Sequence, residues 1–114
     1  MRRALIADDD VAVLGLIERW IGAAGFQART FTTFEEARRA LDEWRPELLV
    51  TDVRLGDFNG LQLVLEGKDR NPAMVAVVIT GFDDAMLRAD SAAAGATFLI
   101  KPLDKAQFLD AIKG

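Results

Sequence analysis

Short runs of apolar residues alternate along this chain with longer stretches in which apolar residues recur every three or four positions. Four of the runs, at residues 4–7, 48–51, 75–80 and 97–100, are almost continuously apolar. Runs of this kind are typical of strands that are covered on both faces. A fifth run, at roughly residues 27–30, is more polar, and we predict that it forms an edge strand.

The stretches between the runs predict amphipathic helices. Apolar residues recur at helical spacing in the first two stretches, at Leu14, Ile17 and Ile21, and then at Phe34, Ala37, Leu41 and Trp44. The whole chain therefore predicts five β-α units with no linker or repeat. Right-handed crossovers would place the helices on both faces of one parallel sheet.

Several residues mark the ends of these predicted helices. Thr33 followed by Glu36 matches a capping box, which predicts a helix that begins there. Asn59 is expected to cap the third helix and Asp104 the fifth. Glycine, which readily adopts the left-handed conformation that ends a helix, follows two of the predicted helices, at Gly25 and Gly95.

Composition narrows the class of protein. The 114 residues suit one core, so we expect residues 1–114 to form a single domain. There is no cysteine for disulfides and no histidine to act as a base or ligand. The net charge is -4, and acidic and basic residues are interspersed along the chain. The sequence has no basic stripe of the kind that binds nucleic acid. No signal peptide or membrane-spanning run is evident, so we expect a cytoplasmic domain.

Polar side chains stand at the ends of the four apolar runs. Asp8, Asp9 and Asp10 follow the first run, and Asp52 follows the second. Thr80 ends the third run, and Lys101 follows the last. The carboxyl ends of parallel strands meet at one edge of a sheet, where open α/β sheets bind their ligands. We therefore expect these side chains to converge.

The charges of this cluster predict a bound cation. Two carboxylates about 4 Å apart repel each other by roughly 4 kcal/mol at an effective dielectric constant of about 20. Asp8, Asp9 and Asp52 would carry three negative charges, of which Lys101 neutralises only one. Mg²⁺ relieves such repulsion, since it binds one or two carboxylates, keeps several waters and bridges to a phosphate oxygen. The cluster thus indicates a divalent metal and phosphoryl chemistry.

These residues resemble the receiver domain of two-component response regulators, and the resemblance covers essentially the whole chain. Five motifs carry it, in order and at the family's spacing: Asp8-Asp9-Asp10, Thr51-Asp52-Val53-Arg54, Asn59-Gly60, Ile79-Thr80-Gly81 and Phe98-Leu99-Ile100-Lys101-Pro102. Each motif alone is weak, but together they are specific. The resemblance implies a flavodoxin-like, doubly wound sheet of five parallel strands in the order 2-1-3-4-5, with five helices on its two faces.

The resemblance also implies a role for each residue of the phosphorylation site. Asp52 would be the phosphoacceptor, and Mg²⁺ would be held by Asp9, by Asp8 through a metal-bound water, by Asp52 and by the backbone carbonyl of Arg54. Lys101 would pair with the acceptor or its phosphate. The bond between Lys101 and Pro102 resembles one that is cis in this family.

Four residues are implied in switching and in the lifetime of the phosphorylated state. Thr80 would hydrogen-bond a phosphoryl oxygen, and Phe98 occupies the aromatic switch position. Arg54 and Phe82 lie two residues after the acceptor and after Thr80, where receivers vary and where the side chains affect hydrolysis. Phe82 would obstruct water, and Arg54 would lie against phosphate oxygens.

The implied function is a phosphorylation-activated signalling switch in a two-component phosphorelay. A sensor histidine kinase or histidine phosphotransfer protein would supply the phosphohistidine, because this chain has no histidine. The domain would catalyse only its own phosphorylation and dephosphorylation, and would not be a free-standing enzyme. A homodimer through the fourth helix, fifth strand and fifth helix is a further expectation.

Other interpretations compete with this one. Acidic residues before a helix usually cap it, and we keep this interpretation for Asp10. A haloacid-dehalogenase-like phosphatase would need a second aspartate two residues after the nucleophile, where this chain has Arg54. A receiver that serves only for docking would not need the site residues that this chain retains.

Three departures from the family pattern bear mainly on output. Gly56 stands where receivers usually have proline, which should loosen the loop after Asp52. Phe98 replaces the commoner tyrosine and brings no hydroxyl. The chain also stops soon after Ile112, so the last helix should be short.

Overall fold

The computed structural model describes all residues, 1–114, and its centre is a sheet of five parallel strands. The strands are β1 (Arg2–Ala7), β2 (Phe26–Phe31), β3 (Leu48–Asp52), β4 (Val75–Thr80) and β5 (Ala96–Ile100). They are ordered β2-β1-β3-β4-β5, so the predicted order is confirmed. The polar run predicted to form an edge strand is β2, at one side of the sheet.

Five helices connect the strands, as the sequence predicted. They are α1 (Val11–Ala23), α2 (Phe34–Trp44), α3 (Leu61–Arg70), α4 (Ala85–Ala93) and α5 (Lys105–Ala111). The last of them has only seven residues, which confirms the short final helix. No helix of the chain combines the length and the apolar character that crossing a bilayer would require.

The two faces of the sheet are buried in separate cores. On one face, α1 and α5 pack through Leu14, Ile17 and Phe108 against alternate strand residues. On the other face, α2 and α3 contribute larger side chains, including Leu41 and Trp44. Because side chains of a strand alternate between its faces, this double covering explains why the central strands read as continuous apolar runs.

The predicted helix ends are confirmed at α2 and α5. The Thr33 hydroxyl accepts a hydrogen bond from the Glu36 backbone N–H at 3.3 Å, and Asp104 accepts one from Gln107 at 2.9 Å. Gly25 and Gly95 adopt φ angles of 95° and 77° just after α1 and α4, as the glycine pattern predicted.

Asn59 caps α3, as predicted. Its side-chain oxygen accepts a hydrogen bond from the Leu61 N–H at 2.9 Å. Gly60, which lies between them, already has helical φ and ψ angles of -60° and -20°. A β-carbon on Gly60 would lie 1.9 Å from the Asp52 carbonyl oxygen, which explains why a glycine stands there.

The loop between β3 and α3 contains a small antiparallel hairpin that the sequence did not predict. Residues 54–55 pair with residues 58–59, and Gly56 lies at the tip with a φ of 63°. Proline, whose ring fixes φ near -65°, could not adopt this conformation. Gly56 therefore gives the loop a different, paired structure, whereas we expected it only to loosen the loop.

Candidate functional site

The polar strand ends converge at one edge of the sheet, as predicted. Asp52 and Thr80 are the last residues of β3 and β4, Asp8 and Asp9 follow β1, and Lys101 follows β5. All of them except the buried Asp8 line a cleft of about 220 Å³, whose lining residues are Asp9, Asp52, Arg54, Thr80, Gly81, Phe82 and Lys101. The fold therefore assembles residues that are far apart in the sequence into a single site.

The three consecutive aspartates have different surroundings. Asp8 is completely buried, and its Oδ1 accepts a hydrogen bond from the Asp10 N–H at 2.9 Å. Asp9 is exposed and faces the cleft. Asp10 caps α1 by accepting hydrogen bonds from Ala12 and Val13, as its capping assignment predicted. Asp10 thus serves the helix, while Asp8 and Asp9 remain available to the site.

Lys101 connects the two buried carboxylates. Its Nζ lies 3.0 Å from Asp8 Oδ2 and 3.2 Å from Asp52 Oδ2. The peptide bond that follows it, to Pro102, is cis, which was expected from the resemblance. Lys101 also donates its backbone N–H to the Thr80 carbonyl at 2.8 Å, so β5 is held to β4 directly beside the site.

Burial and charge shift the pKa values of two of these groups. Burial raises the pKa of Asp8 to about 6, against the opposing effects of the Asp10 N–H and Lys101, and the Asp52 charge raises it further. For Lys101, burial works to lower the pKa, but the hydrogen bond with Asp8 and the charges of Asp52 and Asp8 outweigh it and raise the pKa. The site therefore holds more negative charge than Lys101 can balance.

The acceptor carboxylate is nearly buried but reachable from the cleft. Asp52 is 7% exposed, and its Oδ1 accepts a long hydrogen bond of 3.3 Å from the Arg54 N–H. The Thr80 hydroxyl accepts a hydrogen bond from the Phe82 N–H at 3.2 Å. In this hydrogen bond the Thr80 hydroxyl is the acceptor, so its own O–H remains free to donate to a group in the cleft.

The two residues implied in phosphate lifetime contact each other at the mouth of the cleft. The guanidinium carbon of Arg54 lies 5.0 Å from the centre of the Phe82 ring, a cation–π arrangement. The Phe82 side chain is nevertheless 59% exposed. Sequence reasoning treated these residues as independent, and the structure shows that they form one cover beside Asp52.

Phe98 lies outside the cleft. Its surroundings identify a further residue, Arg88, that the sequence did not indicate. The ring of Phe98 is partly buried, and the guanidinium carbon of Arg88 lies 4.8 Å from its centre. Arg88 also contacts Asp83 at 2.8 Å, in the loop that follows Thr80. The only sequence signal for Arg88 was a cation on the fourth helix, which does not identify an aromatic partner.

The carboxylates fit a divalent cation. One oxygen from each of Asp8, Asp9 and Asp52 can be chosen so that all three lie within 4.8 Å of one another. Asp8 Oδ2 is buried, and its one polar partner is the Lys101 ammonium 3.0 Å away. Carboxylate oxygens with spare lone pairs are the ligands that Mg²⁺ prefers. The donor set therefore suits this ion, while the individual roles stay predictions.

Comparisons with known proteins agree with this architecture. The chain is 31% identical over 102 residues to the DNA-binding transcriptional regulator NtrC of Klebsiella pneumoniae, across 89% of this chain and 22% of that protein. It is 29% identical to the beryllofluoride-activated NtrC4 receiver domain dimer, with a TM-score of 0.89 and coverage of 99% and 94%. A Burkholderia pseudomallei response regulator with a phosphorylated aspartic acid, calcium ion and citrate is 25% identical, with a TM-score of 0.88 and coverage of 98% and 66%.

The family match extends over nearly the whole sequence, although the curated relatives are longer. The chain spans less than a quarter of the length of the NtrC proteins that it matches. The family model for the response regulator receiver domain matches residues 4–113, which include all five strands except the first two residues of β1. The chain therefore belongs to the family of response regulator receiver domains.

Proposed function

We propose that this domain is a signalling switch that accepts a phosphoryl group on Asp52 from a phosphohistidine donor, in a Mg²⁺-dependent reaction. One observation carries the proposal: a nearly buried aspartate shares a cleft with a lysine, a threonine and the Asp9 carboxylate, and the buried Asp8 carboxylate lies 3.0 Å from the same lysine. The donor would belong to a sensor histidine kinase or a histidine phosphotransfer protein, because this chain contains no histidine.

Asp52 would act as the nucleophile. One of its carboxylate oxygens attacks phosphorus in line, the P–N bond to the donor imidazole breaks, and its electron pair leaves with the imidazole. The product is an aspartyl phosphate. Lys101, which already lies 3.2 Å from Asp52 Oδ2, would remain beside the transferred group and offset the charge on its oxygens.

The metal would be held by Asp9, Asp52 and the Arg54 carbonyl, with Asp8 behind them binding a metal-bound water. When bound, Mg²⁺ supplies positive charge that stabilises the negative oxygens of the phosphoryl group. Asp8 would orient the site through its buried carboxylate, which the Asp10 N–H fixes at 2.9 Å. Because Asp10, the residue that caps α1, provides that N–H, the helix cap and the metal site share one turn of the chain.

The switch would work through Thr80 and the residues linked to it. The Thr80 hydroxyl would donate to a phosphoryl oxygen, which would draw in the loop that contains Phe82 and Asp83. Asp83 contacts Arg88, and Arg88 covers Phe98. A phosphoryl group that binds one arrangement of this loop more strongly than another would shift the population of loop arrangements, and with it the arrangement of Arg88 and Phe98.

The output surface would lie on α4, β5 and α5. The similar NtrC4 receiver is a dimer in its beryllofluoride-activated form, and we propose that phosphorylation favours a homodimer through this surface. The NtrC relatives are described as DNA-binding transcriptional regulators. This domain has no basic stripe, so in a longer protein of this type we expect a separate domain to bind nucleic acid.

A small phosphodonor tests the proposal without knowledge of the kinase. With phosphoramidate and Mg²⁺, the wild-type protein should gain one phosphoryl group by intact mass, and chelation of Mg²⁺ should prevent it. Asp52→Asn should gain none, whereas Asp57→Asn, which alters an exposed carboxylate on the same loop, should be labelled normally. Continuous release of phosphate over many turnovers would indicate a phosphatase instead, and no labelling would indicate a docking domain.

A further inference from the structure

The hairpin that follows Asp52 is fastened to another element by two stacked aromatic rings. The ring centres of Phe34 and Phe58 lie 4.7 Å apart, and the ring planes are inclined by 16°. Phe34 is the first residue of α2 and is 4% exposed, whereas Phe58 is 47% exposed. Phe58 therefore belongs to the surface, and its stacking partner belongs to the core.

The rest of the loop is fixed near its two ends but not at its tip. The Gly60 N–H donates to the Val53 carbonyl at 2.7 Å, and the Arg54 N–H donates to Asp52. The tip consists of Gly56 and the exposed Asp57. Glycine has access to more backbone conformations than any other residue. The loop around Gly56 therefore keeps a single conformation only if a tertiary contact restricts it.

We propose that the stack of Phe34 and Phe58 is a positioning clamp for the metal side of the phosphorylation site. The inference rests on the proposed function, since it concerns the Arg54 carbonyl as a Mg²⁺ ligand. Phe58 pairs with Leu55 and Asn59 pairs with Arg54 in the hairpin register. Holding Phe58 against α2 thereby restricts Arg54, which lies two residues before Gly56 at the tip.

The clamp also borders the exposed metal-site carboxylate. A second cleft, of about 290 Å³, has Asp9, Phe34 and Phe58 among its lining residues. The stack thus stands between the start of α2 and the loop that faces Asp9. Neither ring touches the acceptor, so Phe34 and Phe58 are positioning residues and not catalytic ones.

Preorganisation is the physical reason for an effect on metal binding. A loop that must be ordered when the ion binds reduces the affinity, because the lost conformational freedom opposes binding. Aromatic pairs contribute enough to change an equilibrium by about three- to tenfold. Removal of the Phe58 ring should therefore weaken Mg²⁺ binding by about this factor, while the buried cores remain intact.

The test compares three single variants and one double variant, Phe34→Leu with Phe58→Ala, by calorimetric Mg²⁺ titration in the absence of a phosphodonor. Phe58→Ala should raise the Mg²⁺ dissociation constant by about three- to tenfold, and Phe58→Tyr, which keeps the ring, should leave it within about twofold. Phe34→Leu keeps an apolar residue in the core and should reproduce the Phe58→Ala effect. Since both changes remove one contact, the double variant should be no weaker than either single variant.

Hydrogen exchange separates loss of the clamp from general destabilisation. In metal-free Phe58→Ala, amides of residues 54–59 should exchange faster, while amides of β1 and β3 keep their wild-type rates. If wild-type protein binds Mg²⁺ and is phosphorylated but Phe58→Ala binds Mg²⁺ equally well, the clamp is refuted and the proposed function stands. If wild-type protein neither binds Mg²⁺ nor accepts phosphate, both proposals fail.

Discussion

Replacement of Asp8 by asparagine should stabilise the metal-free protein. Asp8 is fully buried beside Asp52, and burial is the main reason that its pKa is raised to about 6. Asparagine has nearly the same shape, but its single amide oxygen can accept from the Asp10 N–H or from Lys101 and not from both, and this loss, which does not depend on pH, offsets part of the gain. Lys101 would keep Asp52 as a partner at 3.2 Å. The substitution thus removes a buried charge without creating a cavity.

The magnitude follows from the raised pKa. A rise from an ordinary value of 3.8 to about 6 corresponds to about 3 kcal/mol, at roughly 1.4 kcal/mol per tenfold change in proton affinity. Below pH 4 the carboxyl is protonated in both folded and unfolded chains, and it contributes no difference. As the pH rises through about 6, the folded protein must hold the ionised form, so its stability falls. The gain from Asp8→Asn should therefore appear between about pH 4 and 6 and persist above it.

The assay is urea denaturation of the two proteins in EDTA, at a series of pH values from 4 to 8. The difference in unfolding free energy should grow with pH by about 3 kcal/mol. Asp57→Asn, at an exposed site on the loop after Asp52, should show no such growth. Added Mg²⁺ should stabilise the wild type more than Asp8→Asn, which keeps the proposed direct ligands. If Asp8→Asn is less stable than the wild type at pH 7.5 in EDTA, the reasoning about the buried charge is wrong.

Two further predictions concern the metal and the lifetime of the phosphorylated state. Asp9→Ala should weaken Mg²⁺ binding in calorimetric titration far more than Asp10→Ala. Asp10→Ala should instead lower the unfolding free energy by about 1 kcal/mol, because it removes the α1 cap. Equal effects of the two variants on Mg²⁺ binding would overturn the assignment of Asp9 to the metal and Asp10 to the cap. Phe82→Ala should speed the decay of labelled protein after donor removal several-fold, because we expect the ring to obstruct the approach of water to Asp52. Leu65→Ala, a similarly exposed control on α3, should not change the decay. An unchanged or slower decay of Phe82→Ala would show that Phe82 does not shield the site.

The strands, the helices and the convergence of the site could be predicted from the sequence because each follows from short-range pattern in a parallel sheet, whereas the strand order was implied by the resemblance to receiver domains. Continuous apolar runs identify strands covered on both faces, and the polar residue at the end of each run then falls at one edge. Asp10 was assigned to helix capping on position alone, and its contacts with Ala12 and Val13 agree.

The features that the sequence did not predict depend on tertiary contacts. The stack of Phe34 on Phe58 joins residues 24 positions apart, and nothing in either local pattern indicates the other. Likewise, Arg88 covers Phe98 because α4 happens to lie across β5. Gly56 was interpreted by its flexibility, whereas its φ of 63° closes a hairpin.

The account depends most on Asp52 as the residue that receives the phosphoryl group. Reduction of the phosphorylated protein with borohydride converts an aspartyl phosphate to homoserine, which peptide mass spectrometry can locate. After incubation with phosphoramidate and Mg²⁺, the account predicts this conversion at Asp52 alone, and none when Mg²⁺ is chelated. Conversion at Asp57 or at Asp9 with Asp52 intact, or a stable phosphate on a hydroxyl group such as that of Thr80, would contradict it.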